Sequence, residues 1–126
     1  MEHDYRAAAE FRAVLRQFLK RSEDCARKYG LTPRQYLLLL QIGGSGDGTA
    51  TVSELVDRLA LAQSAVTELV QRAEQAGLVA RTPSTTDGRV VHLSLTAQGQ
   101  TKLATVHAAL GAERHELRRA IDGLPD

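Results

Sequence analysis

Apolar residues recur at intervals of three and four along the first part of the chain: Phe11, Val14, Leu15, Phe18, Cys25, Ala26 and Tyr29, with an interruption at Ser22. That spacing is one face of an amphipathic helix over about residues 4–29. The opposite face carries Arg12, Arg16, Lys20, Arg21 and Lys28, and Gly30 stands where a left-handed residue ends a helix. Thr32-Pro33-Arg34-Gln35 then reads as a helix start: the threonine caps, proline suits the first position, and glutamine completes a capping box. The helix continues through Tyr36 and four consecutive leucines, Leu37 to Leu40, to about Ile42. Leucine all round a short helix predicts burial on most of its sides. The glycine-rich stretch 43–48 is a flexible loop.

A second capping box, Thr51 with Glu54, opens a short helix that turns Leu55, Val56 and Leu59 inward. Leu61 and Ala62 make a tight turn. Another helix follows from about Gln63 to Ala76, with Val66, Leu69, Val70 and Ala73 as its buried face and Gly77 as its stop. Two short helices joined this way form a helix-turn-helix, whose second helix fits a major groove. Residues 78–83 and 89–95, around an Asp-Gly turn, predict a β-hairpin, and a hairpin in this position is a wing. Thr96 caps a last helix of about residues 97–124, read as one continuous element with no further helix after it. Its Leu103, Val106, Leu110, Leu117, Ile121 and Leu124 form a narrow seam of the kind that pairs helices.

Composition narrows the function classes. With 43% hydrophobic and 25% charged residues in 126, and no long apolar run, the chain has the profile of one globular domain, 1–126, that does not enter a membrane. The polar start, Met1-Glu2-His3-Asp4, does not read as a secretory signal, so the cytoplasm is the expected compartment. A formal charge of only +1 leaves nucleic-acid binding to a local rather than a global basic surface. One cysteine, Cys25, excludes an internal disulfide and a multi-cysteine zinc site; on the apolar stripe it reads as a small buried hydrophobe. His107 and His115, two turns apart on one helix, lie roughly 12 Å apart in rise and cannot share a metal ion; with His92 they suggest no metal site. Phe11, Phe18, Tyr29 and Tyr36 read as core in preference to a ligand pocket. The chain offers no phosphate-binding glycine loop with its lysine, no nucleophile elbow and no metal-ligand cluster, which argues against an enzyme and against a cofactor.

The stretch 51–99 resembles the DNA-binding core of the MarR (multiple antibiotic resistance regulator) family. Asp87-Gly88-Arg89, five residues, then Leu95-Thr96-Ala97-Gln98-Gly99 matches the family's wing signature, Asp-x-Arg followed by Leu-Thr-x-x-Gly. Ser64-Ala65-Val66-Thr67-Glu68-Leu69-Val70, leading to Ala76-Gly77-Leu78-Val79-Ala80-Arg81, looks like its recognition helix and the step into the wing. Leu31-Thr32-Pro33-Arg34-Gln35-Tyr36 is similar to its second helix. The resemblance implies a mainly α fold with a small β-hairpin wing: a winged helix-turn-helix core, about 51–95, between long N- and C-terminal dimerisation helices, about 4–29 and 97–124. It further implies a homodimer that binds double-stranded DNA at a palindromic operator, represses transcription, and is released by a small phenolic or anionic ligand. Two features depart from the pattern: Glu68 stands where a basic residue is common, and Ala62 where a capping serine or aspartate is usual.

Within that frame the expected DNA-contacting residues are specific. Gln63, Ser64 and Thr67, near the positive end of the recognition helix, meet base edges or phosphates, and Gln71 and Arg72 reach a strand backbone. Arg89 enters a narrow minor groove, whose enhanced negative potential attracts arginine, and Asp87 holds its guanidinium. Arg81 at the base of the wing is either a phosphate contact or a solvated charge. Glu68 is not among the expected contacts: a carboxylate near phosphates is unfavourable, although glutamate can accept a hydrogen bond from cytosine N4. The competing reading is a winged-helix module that binds protein rather than DNA, favoured by the near-neutral charge and by Glu68.

Overall fold

The structure, a computed structural model, describes residues 4–84, 86 and 88–124. Helix α1 spans Arg6–Lys28 and α2 spans Pro33–Gly43; a short strand β1, Thr49–Ala50, leads into α3, Val52–Leu59, and α4, Gln63–Gln75. Strands β2, Val79–Pro83, and β3, Val91–Leu95, are followed by α5, Ala97–Ala109, and α6, Gly111–Asp122. The three strands form one antiparallel sheet in the order β1-β3-β2. This is the winged helix-turn-helix that the hydrophobic pattern predicts.

The helix boundaries follow from local chemistry. Gly30 and Gly77 both take positive φ, 84° and 76°, and the next N–H in each case reaches back five residues: Leu31 to the Ala26 carbonyl and Leu78 to the Ala73 carbonyl, each at 2.9 Å. This closes the exposed carbonyls of α1 and α4. Both capping boxes form: Gln35 N–H donates to Thr32 Oγ1 while Gln35 Oε1 accepts from Thr32 N–H, and Thr51 and Glu54 do the same for α3.

Helix α2 is the centre of the core. Its Leu38, Leu39 and Ile42 are fully buried among Leu55, Val66, Val70, Leu93 and Val106, drawn from α3, α4, β3 and α5. Leu37 is 41% exposed, so one side of the leucine run faces out while the helix is buried on most of its sides, as its pattern predicts. In α1 only the C-terminal half packs firmly: Ser22 and Ala26 are buried, whereas Phe11 and Leu19 are 39% and 40% exposed. Ser22, the interruption in the stripe, therefore lies in the packed part because its small side chain admits close approach.

Two elements differ from the sequence expectation. Strand β1 emerges from the end of the glycine loop, pairing Thr49 with Ser94 and Ala50 with Leu93. Asp47 starts it by accepting from both the N–H and the hydroxyl of Thr49, and these two bonds, the backbone one first, lower its carboxyl pKa. The last helix is not continuous: Leu110, at φ −96° and ψ 8°, separates α5 from α6. Leu110 is buried and Gly111 has no side chain to favour helix, so the chain changes course there; Arg114 donates to the His107 carbonyl at 2.6 Å, satisfying a group released by the break. Helix α5 packs on α2, while α6 packs along α1.

The winged part and α5 are joined at one tight junction. Thr96 N–H donates to the Leu78 carbonyl (3.1 Å), Thr96 Oγ1 donates to the Gly77 carbonyl (2.6 Å) and accepts from Gly99 N–H (3.0 Å). Gly99 is buried so closely on Leu78 that a Cβ there would overlap the Leu78 carbonyl oxygen. Backbone cannot yield as a flexible side-chain end does. Gly99→Ala should therefore lower stability by about 1–3 kcal/mol, despite alanine's better helix propensity, with the melting temperature falling by several degrees. An unchanged melting curve would show that the contact is not tight.

Candidate nucleic-acid interface

Helix α4 carries the candidate reading face. Val66, Val70 and Ala73 are fully buried and Leu69 is partly buried, which fixes the rotation of the helix and turns Gln63, Ser64, Gln71 and Arg72 outward, all exposed; Thr67 is half-buried at the edge of that face. The turn before it depends on Ala60, which takes the left-handed conformation at φ 54° and ψ 42°. Ala62 supplies no side-chain cap, so among the described residues no side chain closes the N–H groups at the start of α4. They stand beside Gln63 and Ser64, where an anion is favoured.

The wing extends from the end of α4. Its register pairs Val79 with Leu95, Arg81 with Leu93 and Pro83 with Val91, and Ser84 N–H continues the ladder to the Val90 carbonyl at 2.8 Å. Arg89 lies exposed in the turn beyond. Asp87, expected to hold it, lies outside the described residues. Arg81 donates through Nε to Glu74 Oε1 at 2.6 Å and so ties the wing base to the last turn of α4. Arg72 does likewise with Glu68, Nη2 to Oε1 at 2.6 Å, one turn apart on the helix. The structure thus gathers Gln63, Ser64, Thr67, Gln71 and Arg72 on one face, sets Arg81 at its C-terminal edge, and carries Arg89 away on the hairpin. The sequence reading did not identify Glu74 as a partner of Arg81, since the pair crosses from helix to strand.

The comparisons with known proteins agree with this geometry. A model of the MarR family matches residues 29–90. The HTH-type transcriptional repressor MdtR of Bacillus subtilis is 42% identical over 81 residues, 64% of this chain and 51% of that protein. The chain thus spans about half the length of that curated relative. The solved YusO protein, also from Bacillus subtilis, is 32% identical with a TM-score of 0.65, covering 91% of this chain and 78% of that one. The chain belongs to the MarR family. Its fold is also that of MarR from E. coli, solved as a mutant with a TM-score of 0.79 at 22% identity over 94% of this chain and 86% of that one. The same E. coli protein has been solved in complex with operator DNA, with a TM-score of 0.66 at 21% identity over 92% and 85% of the two chains.

This MarR-family chain also has a cleft of about 660 Å³ between the end of α2, β1, β3 and α5, with Leu40, Leu95, Leu103 and Ala104 as apolar walls and Asp47 and His107 as its ionisable groups. None of Phe11, Phe18, Tyr29 or Tyr36 lines it. His107 and His115, read as two turns apart on one continuous helix, sit on separate helices because of the break at Leu110. Among the described residues no three His, Cys, Asp or Glu side chains converge on a common point, and no helix is long and apolar enough to cross a membrane.

Two outcomes follow from the local geometry. Ala60 pays a steric penalty of about 1–2 kcal/mol in the left-handed region that glycine avoids, so Ala60→Gly should leave stability unchanged or raise it by up to ~1 kcal/mol, allowing for glycine's extra unfolded-state freedom. Ala60→Val should lower it; thermal melts of the two variants in the reverse order would contradict the left-handed turn. Burial, and next the nearby Glu113 carboxylate, push the Cys25 thiol pKa up, so it stays protonated at neutral pH. Alkylation of Cys25 at pH 8 should run slower than that of free cysteine; equal rates would mean an accessible thiolate.

Proposed function

We propose that this chain is a sequence-specific DNA-binding transcriptional regulator, acting in the cytoplasm as a repressor that binds a palindromic operator as a homodimer. The observation that carries the reading is the face of α4: polar, exposed and uncapped at its N-terminus, on a helix whose rotation is fixed by three fully buried side chains. Gln63, Ser64 and Thr67 meet the bases and phosphates, Gln71, Arg72 and Arg81 the flanking backbone, and Arg89 the minor groove, with Asp87 orienting it. Two such faces on a symmetric dimer address half-sites roughly 34–36 Å apart. Exposed Phe11 and Leu19 on α1 and Ile121 on α6 supply apolar surface for the second copy, and these are the helices expected to entwine.

Release by a small ligand fits the cleft beside α5, which lies between the winged core and the helices that join the copies. A phenolic ligand suits it better than an anionic one. The walls are largely apolar, a phenol hydroxyl has Asp47 to donate to, and no lysine or arginine lines the cleft to hold an anion.

The protein-binding alternative has one supporting observation: Arg72 and Arg81 are each matched by a glutamate, which leaves the reading face close to neutral. Selection from a randomised duplex pool at several salt concentrations, with Arg89→Ala beside the wild type, separates the two. The wild type should enrich an inverted repeat, and the variant should bind it about tenfold or more weakly. If neither protein binds above the weak non-specific level at low salt, the DNA reading fails and the α4 face becomes a protein-docking surface.

A further inference from the structure

Among the described residues, Glu68 is the one carboxylate on the outward face of α4, in the midst of Ser64, Thr67, Gln71 and Arg72. It is 61% exposed, so burial does not explain its presence, and the pair it makes with Arg72 contributes little to folding at such a site. Its placement is unfavourable for the function proposed above. A carboxylate on a surface that approaches phosphates repels them, and it also occupies the nearest cation, Arg72, through one oxygen, Oε1, at 2.6 Å. Among the described residues its other oxygen has no hydrogen-bond partner.

On this surface one kind of DNA group relieves that repulsion. The cytosine N4 amino group, in the major groove, donates to a carboxylate. Adenine N6 is also a donor, but the adjacent N7 is an acceptor that faces the acid unfavourably; guanine O6 and N7, and thymine O4, are acceptors throughout.

We propose that Glu68 is the specificity-determining residue of α4, selecting cytosine at one position of each half-site by weakening the binding of every other sequence. The inference rests on the DNA-binding reading. On non-cognate DNA, Glu68 faces phosphates and acceptor edges with nothing to satisfy its open oxygen, and Arg72 remains partly neutralised. At the cognate site the cytosine amino group takes the open oxygen, Oε1 keeps its hold on Arg72, and the remaining guanidinium N–H groups point to the strand backbone. Glu68 thus lowers general affinity and restores it at one base, which is discrimination by exclusion.

Substitution by glutamine changes the chemistry with little change of shape. A glutamine amide offers both a donor and an acceptor, and its matched partner is adenine through N6 and N7. Selection from a randomised duplex pool, followed by titration of the winning site and its single-base variants, should be run on wild type, Glu68→Gln and Glu68→Ala. Wild type should prefer cytosine at one position per half-site by about tenfold. Glu68→Gln should move that preference toward adenine, and Glu68→Ala should abolish it, while both bind non-cognate DNA roughly 3–10-fold more tightly than wild type. With Arg72 freed for phosphate, the slope of log K against log salt should steepen by about 0.9 per half-site in both variants. Because Glu68 is exposed, both variants should melt within a degree or two of wild type; two substitutions keep the test valid if one of them disturbs α4.

The failures are distinguishable. If wild type selects a sequence and both variants select the same bases with the same discrimination, Glu68 is a surface ion-pair partner and this inference alone is overturned. If wild type selects no sequence, the inference falls together with the DNA-binding reading.

Discussion

Backbone approach at Gly99 sets how the two halves of the molecule meet. Leu78 is the residue where the chain leaves α4 for the wing, and Gly99 lies in the first turn of α5, where the chain leaves the wing for the terminal helices. With no side chain at Gly99, the helix settles directly on the Leu78 carbonyl, and Thr96 bonds to both Leu78 and Gly77 in the same place. The hairpin therefore starts and ends at one fixed point. The Gly99 contact and the two Thr96 bonds thus join α5 directly to the end of α4 and to the root of the wing.

That rigidity gives the cleft beside α5 its significance. Its walls come from both sides of the junction: the end of α2, β1 and β3 on one side, and Leu103, Ala104 and His107 of α5 on the other. A molecule wedged there would load the Gly99 contact, and the closely packed interior around Leu38, Leu39 and Ile42 is not compliant enough to absorb the strain locally.

Charge on the reading face is governed by pairing more than by number. Arg72 and Arg81 both sit close to where backbone contacts are expected, and both are matched at 2.6 Å by glutamates. The consequence is a surface with modest general attraction for polyanions, consistent with a net charge of +1. If it reads DNA as proposed, such a surface would depend on directional hydrogen bonds to discriminate, because Coulomb attraction to phosphates carries no sequence information.

Most of the fold was legible because its signals are local. Capping boxes at Thr32 and Thr51, terminating glycines at 30 and 77, and apolar residues at helical spacing all act within a few residues. The outward face of α4 was legible for the same reason: once Val66, Val70 and Ala73 face the core, the periodicity of the helix decides where Gln63, Ser64, Gln71 and Arg72 point. Tertiary packing alone decided the rest. Strand β1 exists because β3 offers it a free edge, and two residues carry too little pattern to announce themselves. The seam through Leu110 reads as continuous, yet burial of Leu110 and packing of α6 on α1 break it there. The Arg81–Glu74 pair and the Gly99–Leu78 contact join residues distant along the chain or in different elements, so no window of sequence contains their cause. Sequence by itself determined most of the elements and which way they face, through interactions within a turn or two. The tertiary structure decided where those elements stop and touch, because that depends on surfaces that exist only after folding.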